Sequence, residues 1–266
     1  MKKGISLYFG RHYDWKKRFQ DIKRAGFECF MTTADELFID QEGAMDERME
    51  YAKEIGLEPD SLHSSYISEN LPYFWVEGSF GEEILKKLIY ELQLAKQYKF
   101  KALVVHCLGE PSFVGLQRMK ELVSKAEELG VCIAVENIDN EKILDFILSN
   151  IKNDKLKFCF DSGHENFSKE QKNMLERYGD RLICLHLHDN DGNSDMHTLN
   201  KYGTINWQKM AQRLSNCSNI ENIVLDYEVL MKHKTQDSAE EILKETFAQA
   251  VSLEENIKIC LKNKNS

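Results

Sequence analysis

The chain has 266 residues, 35 of them basic and 44 acidic, for a formal net charge of −9. That length admits one large domain or two small ones with ample buried core. An acidic chain gains nothing overall from neutralising phosphates, which argues against a dedicated nucleic-acid role, and no apolar run is long enough to span a bilayer.

The first ten residues, Met1 to Gly10, hold only a strand-length apolar run, interrupted by Arg11 and His12. A signal peptide is therefore not expected. Seven cysteines occur without a C-x-x-C pair, and Cys107, Cys132, Cys159 and Cys184 sit inside apolar runs. An odd, unpaired set fits a reducing, cytoplasmic setting better than a disulfide framework.

Short apolar runs alternate with longer amphipathic segments. Ile5 to Phe9 reads as a strand and Asp14 to Ala25 as a helix stopped by Gly26; Phe27 to Met31 and Met45 to Ile55 repeat the pattern, with Gly56 as the stop. Leu57 to His63 is a third extended run, and Glu82 to Tyr98 is helical, with Leu85, Leu88, Ile89, Leu92 and Ala95 at helical spacing. Ala102 to His106 is a buried strand, followed by the helix Leu116 to Leu129 and its stop at Gly130. Strand Val131–Glu136 then precedes helix Glu141–Ile151, and strand Leu156–Asp161 precedes helix Ser168–Tyr178. Leu182 to His188 and Ile223 to Glu228 are the last strands, with helices Trp207–Leu214 and Ser238–Ile259 behind them. Eight strand–helix units of about thirty residues predict an α/β fold, a parallel (β/α)₈ barrel. With no linker-like or low-complexity stretch, residues 1–266 are expected to form a single domain.

In such a barrel, catalytic side chains gather at the C-terminal ends of the strands. The stretch Leu185 to His197 packs three histidines and three aspartates into thirteen residues, directly after an apolar run. Imidazole with carboxylate is the ligand chemistry of Zn²⁺ or Mn²⁺. His63, His106, Glu136 and Asp161 end the third to sixth strands, His164 follows Asp161, His186 and His188 close the seventh, and Glu228 ends the eighth; Asp195 and His197 lie in the loop between the last two. Taken singly, each has a plain alternative. Glu136-Asn137 suits a strand meeting water, Asp161-Ser162-Gly163-His164 an Asp-initiated turn, His63 and His106 satisfied core histidines, and Glu228 a partner for Lys232 or Lys234. Their joint placement on successive strands is what those alternatives leave unexplained. His186 and His188 are read as pointing to opposite sides of their strand, so that only His186 faces the axis as a ligand. His188 is then a mouth residue that touches substrate or orients Asp189.

At these residues the sequence resembles the xylose isomerase-like TIM barrel superfamily, which includes sugar-phosphate isomerases and epimerases, ketose 3-epimerases and the related zinc-dependent apurinic-site endonucleases. The resemblance runs from Leu62-His63-Ser64-Ser65-Tyr66 through Val105-His106, Val135-Glu136-Asn137, Phe160-Asp161-Ser162-Gly163-His164, His186-Leu187-His188-Asp189-Asn190, Asp195-Met196-His197 and Tyr202-Gly203-Thr204-Ile205-Asn206-Trp207 to Glu228. It implies one divalent metal, Mn²⁺ or Zn²⁺ with Co²⁺ or Mg²⁺ as further options, held by Glu136, Asp161, His186 and Glu228. The two glutamates would serve as acid and base in isomerisation or epimerisation of a sugar, or sugar phosphate, through an enediolate. His63, His106, His164 and His188 would ring the hydroxyls of a sugar or polyol, with Tyr66, Phe74 and Trp75 as an apolar wall.

The alternative is an endonuclease with three zinc ions, whose nine ligands match His63, His106, Glu136, Asp161, His164, His186, Asp195, His197 and Glu228. Its drawbacks are the acidic charge and the segment Asn190 to Asp195, which lacks basic or wedge-like residues. Thr204 also stands where both groups carry a second glycine, which argues against a phosphate contact from that turn. A metal-dependent dehydratase on the same barrel is a further alternative. Oligomeric state has no signature in the outer helices.

Overall fold

The computed structural model describes residues 1–10, 13–35, 43–65, 69–138, 141–169, 172–230 and 238–264. Its strands are β1 (Lys3–Ser6), β2 (Cys29–Thr33), β3 (Glu58–His63), β4 (Ala102–Val105), β5 (Cys132–Glu136), β6 (Leu156–Asp161), β7 (Leu182–His186) and β8 (Leu225–Tyr227). They form one parallel sheet in the order β7-β6-β5-β4-β3-β2-β1-β8. The ring nearly closes just past β7, where Leu187 bridges Tyr227; Leu187 N–H donates to the Asp226 carbonyl at 2.8 Å and Glu228 N–H to the Leu187 carbonyl at 3.0 Å. The predicted (β/α)₈ barrel is the fold.

Between the strands lie the helices α1 (Trp15–Ala25), α2 (Met45–Ile55), α3 (Ser79–Gln97), α4 (Phe113–Leu129), α5 (Glu141–Asn150), α6 (Ser162–Phe167), α7 (Met174–Tyr178), α8 (Trp207–Leu214) and α9 (Ala239–Lys264). Asp14 caps α1 by accepting from Lys17 N–H, and α1, α2 and α4 end on Gly26, Gly56 and Gly130 in the left-handed conformation that glycine adopts without strain. Two helices start three residues before their apolar spacing begins, because their first turns are not core-facing: Phe80 and Phe113 are both exposed. The helix expected over Ser168–Tyr178 is instead split. Asp161 caps α6 by accepting from His164 N–H at 2.6 Å, so helix begins immediately after β6, and Asn173 in the left-handed region separates it from α7.

Side-chain parity along the strands decides what faces the axis. On β4, β5, β6 and β7 one alternating set, Leu103, Val105, Ile133, Val135, Phe158, Phe160 and Leu185, packs outward into the main core beneath the helices. The alternate set Ala102, Val104, Ala134, Cys159 and Cys184 forms a separate cluster of small residues inside the ring. Extending that inner parity toward the C-terminal ends reaches His106, Glu136, Asp161, His186 and His188. Small inner residues leave room above them for large polar side chains. All seven cysteines are free thiols, and no helix among the described residues is long and apolar enough to cross a membrane.

Candidate metal centre

Seven of the nine metal-type side chains named from the sequence surround Glu136 and Asp161 directly or through one neighbour. Glu136 is 2 % exposed; its Oε2 lies 3.1 Å from His106 Nε2, 3.2 Å from His186 Nδ1 and 3.6 Å from His63 Nε2, and its Oε1 lies 3.3 Å from His164 Nδ1. Glu228 Oε2 is 3.7 Å from both His186 Nδ1 and His197 Nδ1. Asp161 Oδ2 is 3.1 Å from His188 Nε2, and Asp195 Oδ2 is 3.0 Å from His197 Nε2 and 3.5 Å from His164 Nε2. Ligand atoms within 4.8 Å of one another define overlapping groups: His63 with His106 and Glu136; Glu136 with Asp161 and His164; Asp161 with His188 and Glu228; His188 with Asp195 and His197. Cys159 joins Glu136 and His186 in a further such group.

Two observations fit these residues to a divalent cation. First, His63, His164 and His197 each place Nδ1 against a backbone carbonyl, of Ser64 at 2.8 Å, Asn137 at 3.0 Å and Glu228 at 2.9 Å. A carbonyl only accepts, so Nδ1 carries the proton and Nε2 turns into the cluster, which is how metal-binding imidazoles are oriented. Second, buried His186 hydrogen-bonds through neither ring nitrogen, although two carboxylates lie within ion-pair distance. Lone pairs aimed at a shared point, rather than at each other, have that geometry.

Protonation in the metal-free cluster follows from the same contacts. Burial alone would raise the Glu136 carboxyl, but His186 and His106 beside it, with hydrogen bonds from His106 and His164, hold it well below the usual range. Burial would likewise depress His186, yet Glu136 and Glu228 raise it well above an ordinary imidazole. His164 is raised well above the ordinary value against burial by Asp161 and by hydrogen bonds to Asp195 and Glu136. His197 is pushed up to about 9: burial opposes this, and its bond to Asp195 with the charge of Glu228 outweighs it. Asp161 is lowered despite burial by His164 and His188, and Asp195 despite burial by its bonds to His164 and His197. His106 goes the other way, lowered by burial that Glu136 only partly offsets. Imidazolium and carboxylate thus hold places that cation and neutral imidazole would take.

His188 requires a correction. Residues two apart on a strand share a face, so His186 and His188 point the same way. His188 is fully buried against Asp161, stacks on His197 at 3.9 Å between ring centroids, and is packed so closely on Gly163 that a methyl group there would displace it. Nor does it orient Asp189. The Asp189 carboxylate faces away, accepting from Asn190 N–H, Thr204 N–H, Ile205 N–H and Trp207 Nε1–H at 2.7–3.1 Å. Those bonds occupy the amides of Thr204 and Ile205, and Gly203 N–H donates to the Asn200 carbonyl, which accounts physically for a turn that makes no free anion cradle. Trp75 is buried and walls a cavity next to His106. Tyr66, Lys232 and Lys234 lie outside the described residues.

Two positioning residues had little signal in the chain. Asn137, fully buried, clamps β5 to β6: its Nδ2–H donates to the Asp161 carbonyl at 2.9 Å and its Oδ1 accepts from Asp161 N–H at 2.7 Å. Asp189 staples the loop that carries Asp195 and His197. Asp189→Ala leaves several buried N–H groups unpaired and is expected to cost about 2–4 kcal/mol. Chemical denaturation would measure it, and a loss under about 0.5 kcal/mol, the scatter of surface substitutions, would refute the staple.

Comparisons with known proteins agree with the fold. Over 115 residues, 41 % of this chain, it is 37 % identical to the uncharacterized protein y4fM of Sinorhizobium fredii, and the match spans 36 % of that protein. The chain spans about half or less of the length of the curated relatives it matches. Among solved structures, a D-tagatose 3-epimerase-like protein superposes with a TM-score of 0.76 at 18 % identity over 100 % of both chains. The IOLI protein, solved with a binding zinc atom, superposes with a TM-score of 0.74 at 18 % identity over 95 % of this chain and 98 % of its own. The family described as xylose isomerase-like TIM barrel matches residues 19–250, most of the chain, from within α1 to within α9, and the protein belongs to that family.

Proposed function

We propose that residues 1–266 form a single catalytic domain, a divalent-metal-dependent sugar isomerase or epimerase with Glu136 and Glu228 as its acid and base. The observation that carries this reading is the convergence of both glutamates on His186, at 3.2 and 3.7 Å, from strands on different sides of the ring. Glu136, Asp161, His186 and Glu228 would hold the ion, Zn²⁺ or Mn²⁺ by donor type. When bound, it would polarise a substrate carbonyl and acidify the neighbouring C–H. One glutamate takes that proton while the C–H electron pair moves into an enediolate; the other returns a proton to the opposite face or the adjacent carbon. Glu228, more open than Glu136, is the base nearer incoming substrate. The likeness to a D-tagatose 3-epimerase-like protein and to a zinc-bound barrel supports this reading.

A second reading draws on a specific observation. His63 with His106, and His188 with Asp195 and His197, extend the donors beyond four into one continuous cluster. That inventory suits a three-zinc phosphodiester hydrolase acting on abasic DNA. The charge of −9 opposes it.

The two readings separate on the metal-loaded protein. Incubating a panel of ketoses and aldoses in D₂O with Mn²⁺, Co²⁺, Mg²⁺ or Zn²⁺ is expected to show deuterium entering a C–H next to a carbonyl by NMR. No exchange with any sugar, together with about three zinc ions per chain by mass spectrometry and cleavage of an abasic duplex, would replace the first reading with the second.

A further inference from the structure

Beside His106, between the ends of β3 and β4, the barrel mouth opens into a cavity of about 100 Å³ whose walls are chiefly Leu71, Phe74, Trp75, Leu88 and Met119. The wall is built in advance. Arg118 on α4 is buried and donates to the carbonyls of Phe74, Val76 and Gly78 at 2.7, 2.7 and 3.2 Å, and the Ser112 hydroxyl donates to the Trp75 carbonyl. Gly115 lies flat against the indole of Trp75, where any side chain would displace the ring. Ser64, Asn70 and Lys87 add polar groups to the lining, and next to the metal-type cluster the partners of Ser65 are fixed. Its N–H and hydroxyl both donate to the buried Glu91 carboxylate, so its oxygen presents only lone pairs to the cavity. Burial pushes the Glu91 acid up to about 7, with the Ser65 hydroxyl bond opposing.

We propose that this cavity selects the substrate: a hydroxylated carbonyl compound that carries a short alkyl group, rather than a sugar with a hydroxyl on every carbon. The inference rests on the isomerase or epimerase reading and narrows its substrate class. Against the side chains of Leu71, Phe74 and Leu88 a hydroxyl finds no hydrogen-bond partner, whereas methyl and methylene groups gain by leaving water. A cavity near 150 Å³ of this character takes benzene, so about 100 Å³ suits three or four carbon atoms. One donor at the root of the alkyl group would meet the Ser65 oxygen, and the hydroxylated end would lie toward His106 and Glu136.

The test uses the full chain and needs no turnover, so it stands apart from the outcome of the sugar panel. Isobutanol and erythritol, four-carbon probes of opposite polarity, are titrated separately while the Trp75 indole N–H resonance is followed, assigned by its disappearance in Trp75→Phe. Isobutanol is expected to shift that resonance with at least tenfold tighter binding than erythritol, and Leu88→Trp, which fills the cavity, is expected to abolish the shift. If Leu88→Trp does not fold, Leu71→Trp serves in its place. Equal binding of the two probes, or an isobutanol shift that survives in a folded filled variant, overturns the proposal. For any sugar pair that exchanges in D₂O, the alkylated or deoxy member is expected to have at least tenfold higher kcat/KM, through KM, and the preference to collapse in the filled variant. A preference for the fully hydroxylated member would equally overturn it.

Discussion

Glu136→Gln is expected to lower solvent-exchange activity by about 10³-fold or more and to weaken metal binding sharply, with the fold retained. The substitution preserves shape, so the outer packing of Ile133 and Val135 on β5 is untouched. What it removes is a negative charge that four imidazoles approach within 3.1–3.6 Å. An amide neither accepts a proton from carbon nor balances a dication. In the metal-free protein the raised pKa of His186 falls as well, because Glu136 is the chief charge holding it up. Metal titration, deuterium exchange and far-UV circular dichroism on Glu136→Gln read the three effects separately. Wild-type metal affinity and exchange rate in this variant would remove Glu136 from both roles.

Metal removal is expected to abolish activity and to reverse the pH dependence of stability. In the metal-free fold, His164, His186 and His197 have raised pKa values. Their contribution is complete below the unfolded imidazole value of about 6.5, and it is lost as pH rises through the folded values, about 9 for His197. Glu136, Asp161 and Asp195 are lowered, so their contribution is present above the unfolded carboxylate value of about 4 and is lost as pH falls. The metal-free protein is therefore most stable between about pH 4 and 6.5. A bound ion requires neutral imidazoles, so loading releases protons and tightens roughly tenfold per pH unit for each proton displaced. Thermal melts with and without chelator should diverge most near pH 8–9 and least near pH 5. A gap of constant size from pH 5 to 9 would show that no histidine proton competes with metal.

Several features of this architecture are visible in the chain because they depend on neighbours in sequence. Strand β6 and helices α2 and α8 fall on the residues that periodicity and punctuation indicate, and Gly26, Gly56 and Gly130 stop their helices as read. The helix at Ser168–Tyr178 is misread for a local reason too: periodicity does not show that the Asp161 side chain caps a helix that begins at Ser162. The error over His188 is one of parity, since strand alternation puts Cys184, His186 and His188 on one face.

Order along the chain determines which side chains stand at strand ends, and thus that His63, His106, Glu136, Asp161, His186 and Glu228 share the C-terminal rim of a parallel barrel. Parity and a parallel topology are enough for that. Only the tertiary structure decides which donors touch, that Asp189 turns from the cluster to hold the 203–205 turn, and that an apolar chamber sits beside His106. Those outcomes depend on contacts between residues tens of positions apart, such as Arg118 with Phe74 or Trp207 with Asp189, whose distances arise when the ring closes and have no counterpart in local pattern.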